Sequence, residues 1–360
     1  MEKCSNDDRN RIRREEMYRE GGVQERLDYE TPWSRHPHTL THGALIDWKA
    51  VAASMGRQKF HLSPEITLGE VGGVAVVQDD GSLTLDGGEI NYMAVWDLLR
   101  AKYGDSFDFV TFFADSPVPF SYSFWSPIYA KTEGIGGYNH DVRSAWGTER
   151  LQGFHFINSG HVDNMGVYLQ EFGHQWGSYT YFADAPDSEW VYTNLLLDGE
   201  PGHWDFLMDD GHSPMNYDFQ FTPFMSTHWQ QRQGDGSLFD FHATERIEYC
   251  DLDLYLMGLL EKEKVEPFYY IAGADQVGSE TYSGAKQTVT IDEVINAMGP
   301  RNAPVGLREN NFRNLWVLVT SSAQLAVKTA AHIDDVRQSF ELHYTAATRC
   351  LGHVDTTLPD

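Results

Sequence analysis

The sequence predicts an α+β protein, and three observations lead there. Short apolar runs of strand length recur, Asp108 to Ala114 (DFVTFFA) being the clearest. Segments with apolar residues at helical spacing stand between them, as at Tyr92, Val95, Trp96 and Leu99. A long stretch, 180–245, is rich in Asp, Gly, Pro, His and aromatics and follows neither period; irregular segments of that length in compact enzymes usually build a cleft.

Element by element, residues 1–40 are charged, are punctuated by Pro32 and Pro37, and read as an N-terminal arm over the body. Residues 66–86 read as two strands joined by the turn Asp79-Asp80-Gly81. A helix from Ile90 to Tyr103 ends before Gly104, and a buried strand covers Asp108 to Ala114. A Pro- and Ser-rich aromatic loop (115–129) leads to a glycine turn at 134–137. A strand at Phe154 to Asn158 precedes a helix from about Asp163 to Tyr179, which Asp163 or Asn164 can cap. Asp251 to Leu260 reads as a buried helix. Then come a strand near Gln287 to Ile291, a helix near Asp292 to Met298, the strand Leu315 to Thr320 and a last helix ending near Tyr344. Nothing marks a clean domain boundary, so 41–360 reads as one domain, with an upper lobe at about 41–180 and a lower one at about 181–360.

Composition narrows the function. The 53 acidic against 27 basic side chains give a formal charge of −26, a surface that repels nucleic-acid phosphates and anionic membranes. Cys4, Cys250 and Cys350 are too few and too widely spaced for a disulfide framework or a CxxC metal pair, and they read as reduced thiols. The N-terminus carries no apolar leader and no stretch approaches ~20 apolar residues, so a cytoplasmic protein is expected.

The chemistry concentrates in Gln170-Glu171-Phe172-Gly173-His174. On a helix, residues three and four apart share a face, so Gln170, Glu171 and His174 can point into one site. That is the layout of H-E-x-x-H, in which two histidines hold zinc and the glutamate activates water. Here Gln170 replaces the first histidine, and an amide oxygen is a poorer zinc donor than imidazole. Glu171 and His174 also form an E-x-x-H pair, which with another histidine would make a 2-His-1-carboxylate set suited to iron.

A succession of short motifs runs through residues 66–358: F-D-F-V-T-F-F (107–113), G-I-G-G (134–137), Y-L-Q-E-F-G-H-Q-W-G (168–177), G-H-W-D-F (202–206), S-P-M (213–215), G-D-G-S-L-F (234–239), D-L-D-L-Y-L-M-G-L (251–259), V-E-P-F (265–268) and A-T-R-C-L-G-H-V-D-T-T-L (347–358). In this order the chain resembles a group of bacterial HExxH-type metallopeptidase-like proteins of the zincin superfamily, whose own substrates are mostly unassigned. The resemblance implies a zincin-like fold, with a mixed, mostly antiparallel sheet packed on the active-site helix, the irregular segment forming the cleft and a helical C-terminal lobe below.

It also implies a third ligand downstream. His203 is the first candidate, and Glu189 and Glu200 are the alternatives. Met215 could form an apolar floor beneath the metal. Tyr217 is the leading proton or oxyanion donor, with Tyr192, His212 and His161 behind it. The function so implied is a metal-dependent hydrolase acting on an amide or peptide bond of a small or peptide substrate. Its metal would be zinc (iron or copper as alternatives), held by Gln170, His174 and His203, with Glu171 as general base. The rivals are a non-hydrolytic metalloenzyme that uses Glu171 as a ligand, and an inactive binding protein that keeps only the fold.

Overall fold

The computed structural model describes residues 66–360 except 86–87, 116–117, 119–120, 138, 184–201, 212, 217–225, 245–246, 303–310 and 360. The N-terminal arm lies outside the described residues, as do Glu189, Tyr192, Glu200, His212 and Tyr217.

The chain enters as a hairpin of β1 (Thr67–Val71) and β2 (Val74–Gln78), with Val71 paired to Val74 across the two-residue turn Gly72-Gly73. The turn expected at Asp79–Gly81 is therefore not the hairpin. Gly72 adopts φ +58, a left-handed conformation that glycine reaches without strain. Asp79 instead folds the following loop, its Oδ1 accepting from the backbone amides of Gly81 and Leu83. Helix α1 (Tyr92–Tyr103) starts at Asn91, whose Oδ1 accepts from Ala94 N at 3.1 Å. It buries Tyr92, Val95, Trp96 and Leu99, the face its spacing predicted.

Next come β3 (Phe109–Ala114), β4 (Phe124–Pro127), the small β5–β6 pair (Tyr129–Ala130, His140–Asp141), α2 (Arg143–Trp146) and β7 (Gly153–Phe156). Helix α3 (Met165–Gly173) carries the motif. Strands β8 (Met208–Asp209), β9 (Ser226–Gln231) and β10 (Leu238–Thr244) lead to α4 (Asp251–Leu256). Strands β11 (Phe268–Gln276) and β12 (Thr281–Val289), helix α5 (Ile291–Met298), β13 (Asn311–Thr320), α6 (Ala323–Ala347) and β14 (His353–Asp355) complete the chain.

The main sheet has the order β1-β2-β13-β3-β7-β4, with β14 also paired to β13. Its middle ladders, β2–β13, β13–β3 and β3–β7, are parallel, as is β13–β14; only the outer pairs β1–β2 and β4–β7 are antiparallel. The sheet is mixed, as expected, but its centre corrects the expectation of mostly antiparallel pairing. The reason is in the strands: VAVVQ, FVTFFA and the second half of NFRNLWVLVT are continuous apolar runs, the mark of strands buried on both faces. Helix α1 covers one face through Val95, Trp96 and Leu99 against Val110, Phe112, Phe154 and Val317. Helices α3 and α6 cover the other, through Phe172, Phe340 and Tyr344 against Phe109, Phe113, Trp316 and Leu318.

The second sheet, β8-β11-β12-β10-β9, is antiparallel throughout. It takes three strands from the 180–245 segment expected to be irregular, and its hairpin β11–β12 belongs to a C-terminal part expected to be helical. Trp229, Phe239, Phe241 and Ile271 form its small core. The middle strand of the main sheet, β13, lies far beyond residue 180, so that sheet draws on both expected lobes. Cys250 is a free thiol, whereas Cys350 takes part in a disulfide, against the expectation that it is reduced. Among the described residues no helix is long and apolar enough to cross a membrane.

Candidate functional site

Helix α3 begins where Asn164 Oδ1 accepts from Gly166 N at 3.1 Å. It ends at Gly173, six residues before the expected Tyr179, and His174 is its C-cap. The helical pattern still reaches that residue: His174 has φ −61 and ψ −12, and its N–H bonds Gln170 O at 3.1 Å. Beyond it the amides of Trp176 and Gly177 both turn back to Gly173 O. The motif therefore sits on the last turn of a helix, with its imidazole at the edge where the chain leaves.

Gly173 is needed there. A Cβ at this position would overlap Met215 Sδ and lie 3.2 Å from Tyr249 Cε1. Met215 is thus packed against the end of the motif helix. We expect Gly173→Ala to cost about 1–3 kcal/mol through overpacking, measured as a shift in the urea midpoint. An unchanged midpoint would remove Met215 as a close neighbour of the motif.

The structure brings His203 to His174. The two ring centroids lie 4.9 Å apart with an interplanar angle of 79°. Their meeting follows from a reciprocal backbone pair: Gly202 N to Ser178 O at 2.6 Å and Ser178 N to Gly202 O at 3.2 Å. Even a Cβ built on Gly202 would sit only 3.7 Å from His174 Cε1. His174 and His203 are 3% and 6% exposed, so neither is a solvated surface histidine. His174 Nδ1 faces Gly177 O at 3.2 Å. A backbone carbonyl on one ring nitrogen, fixing the tautomer and leaving the other nitrogen to ligate, is the usual support of a metal-bound histidine. Tyr179 Oη, donating to His174 O at 2.6 Å, fixes the residue from its backbone side.

Glu171 is 4% exposed, and its Oε2 has no hydrogen-bond partner among the described residues. Burial pushes its carboxyl pKa up to about 8, and a hydrogen bond from the Trp125 backbone on β4 opposes that rise. Gln170 is half-buried on the same turn. Gln175 ties the segment after the helix to the neighbouring chain, its Nε2 reaching Tyr129 O at 3.0 Å and Gln152 Oε1 at 3.3 Å. Trp125 and Gln175 are contributors that sequence reasoning did not reach. A backbone amide leaves no trace in composition, and Gln175 stood beside the motif without fitting its spacing.

His161 is separated from the pair. It ends the short 3-10 turn Ser159–His161 that precedes α3 and bonds Ser123 Oγ at 2.9 Å. The nine residues of α3 alone put roughly 13 Å between the two ends. No group of three or more His, Cys, Asp or Glu side chains placed to hold a metal occurs among the described residues. All three of Glu171, His174 and His203 are described, so Glu171 is not grouped with the imidazoles as a third ligand.

Two imidazoles in a buried pair, one backed by a carbonyl, fit two of the positions a zinc ion needs. Gln170, one turn before His174 on the same helix, is the further donor that the motif spacing offers. No protein-family model, curated protein or solved structure matches this chain.

Proposed function

We propose that the chain is a metal-dependent hydrolase of amide or peptide bonds, with a zincin-like site in which His174, His203 and Gln170 hold the metal and Glu171 is the general base. One observation carries the reading: a buried carboxylate with a raised pKa lies one helical turn from a histidine that meets a second buried histidine at 4.9 Å. Perturbed carboxylates beside convergent imidazoles are the ordinary apparatus of acid–base catalysis.

When bound, zinc (iron or copper being the alternatives) supplies Lewis acidity, bringing the pKa of water toward neutrality and polarising a carbonyl oxygen. The residues do the rest. Ionised Glu171 takes a proton from the attacking water at Oε2, the oxygen with no hydrogen-bond partner among the described residues. It then returns that proton to the departing amine. A carboxyl that burial makes a stronger base than an exposed glutamate suits the first transfer. The Trp125 backbone keeps the carboxyl oriented through both. The charge of −26 favours a small or peptide substrate over nucleic acid.

Metal content of the purified protein, set beside turnover on a peptide library, tests this. We expect about one zinc per chain, retained in Glu171→Gln while turnover falls by about 10²–10⁴-fold. His174→Ala and His203→Ala should each lose the metal. A wild-type protein that takes up no zinc, or a Glu171→Gln variant that keeps its turnover, would end the proposal. Loss of metal in Glu171→Gln would instead make Glu171 a ligand and favour iron-type chemistry.

A further inference from the structure

A short buried segment, residues 249–253, holds both segments that meet at the candidate site, and its carboxylate holds one of them. Asp253, on the first turn of α4, is 3% exposed. Its Oδ1 accepts from Trp204 Nε1 at 2.8 Å, and its Oδ2 accepts from Ser213 Oγ at 2.6 Å and from Cys250 N at 2.8 Å. Only the last of these bonds serves α4, where Cys250 and Asp253 form a reciprocal capping box. The other two reach out of the helix to a loop forty or more residues earlier in the chain.

That loop is the one that delivers His203. Trp204 follows it directly, and Trp204 N bonds Met215 O at 2.8 Å. Ser213 Oγ in turn accepts from Met215 N at 2.9 Å. Asp210 closes the loop upon itself, its two oxygens accepting from Ser213 N at 3.1 Å and from Asn216 Nδ2 at 2.6 Å. Asp253 thus grips the loop at two points, beside His203 and beside Met215.

The same short segment grips the other side. Tyr249, four residues before Asp253, donates from Oη to Leu169 O at 2.6 Å on helix α3. Its ring lies beside Gly173. Residues 249–253 are therefore a bracket, with Tyr249 on the helix that ends in His174 and Asp253 on the loop that begins with His203.

We propose that Asp253 is a positioning residue that sets the separation of His174 and His203 by fixing Trp204 and Ser213 against α4. A carboxylate suits the task because it accepts at both oxygens, and charge-assisted bonds are the shorter and stronger kind. A helix cap alone would need only the bond to Cys250. The inference deepens the metal-site reading and rests on it for its chemical meaning, but the ring separation is measurable without metal.

The test uses the full chain carrying Asp253→Asn, Ser213→Ala or Trp204→Phe. Asparagine presents a donor where an acceptor is needed. Ser213→Ala and Trp204→Phe each remove one bond and leave the Cys250 cap in place. Crystal structures of the metal-free variants should show the His174–His203 centroids moved beyond 4.9 Å, and Zn2+ affinity by chelator competition should fall about 10–100-fold, as for lost second-shell partners. Should Asp253→Asn fail to fold, the two milder variants decide. Folded variants that keep both the ring separation and the zinc affinity would overturn the proposal. If wild-type protein binds no Zn2+, the hydrolase reading falls, and the ring separation alone still decides the role of Asp253.

Discussion

Glu171→Gln should make the metal-free protein more stable at pH 8, by about 5 kcal/mol, and leave its stability near pH 4 almost unchanged. The sign follows from where the proton is held. In the folded chain the carboxyl keeps its proton up to a pKa of about 8, because burial penalises the charged form. In the unfolded chain it loses that proton at the ordinary value near 4.5. Between those two values the native state binds one proton more than the unfolded state. Stability therefore falls by roughly 1.4 kcal/mol for each pH unit across the window. Below pH ~4.5 both states are protonated and above pH ~8 both are ionised, so the slope is confined between. Glutamine is neutral throughout and removes it.

Urea unfolding of both proteins at half-unit pH steps, with chelator present, would measure the difference. Parallel stability curves would show that Glu171 titrates normally and is not desolvated. The same experiment bears on the proposed chemistry. A cation held by His174 and His203 would favour the ionised carboxylate, so Zn2+ should stabilise both proteins by binding and narrow the gap between them at pH 8. The raised pKa that suits the proposed general base is thus a liability in the empty protein, a trade-off common at active sites.

Much of this architecture can be read from the chain. The face of α1, the strand β3 and the start of α3 follow from spacing and from Asn164, because local periodicity and capping decide them. The juxtaposition of His174 with His203 was anticipated from chain order within a resemblance, not from spacing. One link that joins their segments is the Ser178–Gly202 backbone pair, which no side-chain pattern encodes. The hairpin turn lies at Gly72-Gly73 and not at Asp79-Asp80-Gly81, because the latter's turn chemistry serves the next loop while the glycine pair sits within an apolar run that reads as strand. The early end of α3 has a similar cause. Its apolar pattern continues through Trp176, but the amides of Trp176 and Gly177 turn back on Gly173 O and close the helix. The β9 and β10 strands were hidden by composition. Phe239 and Phe241 alternate with Asp240 and His242 as a half-buried strand should, amid Asp and Gly that read as loop. Asp253 shows the limit most plainly. Its cap on Cys250 is local, whereas its bonds to Trp204 and Ser213 exist only once the chain has folded.

Phe172→Ala should be the most damaging substitution within the motif, although Phe172 takes no part in the proposed chemistry. Phe172 points away from the site and is fully buried between the main sheet and α6. Its ring lies 4.6 Å from that of Phe109 on β3, 5.2 Å separating Phe109 in turn from Phe312 on β13. On the other side Tyr344 and Phe340 of α6 stand at 5.0 Å and 5.8 Å. Removing such a ring forfeits its transfer free energy and leaves a cavity, about 3–5 kcal/mol in all. Domains of this kind keep only about 5–15 kcal/mol in reserve, so a fifth or more would be lost at one position. The urea midpoint should fall with the m-value unchanged, and a loss below ~1 kcal/mol would mean that α3 is not anchored by this contact. The size of the effect also fixes how variants of the motif must be compared. Zinc uptake by Phe172→Ala measured well below its melting temperature should approach that of wild type, because Glu171 and His174 project about 100° or more round the helix from Phe172. Uptake by His174→Ala should be absent at every temperature. Failure to bind metal separates from failure to fold only where these two variants part.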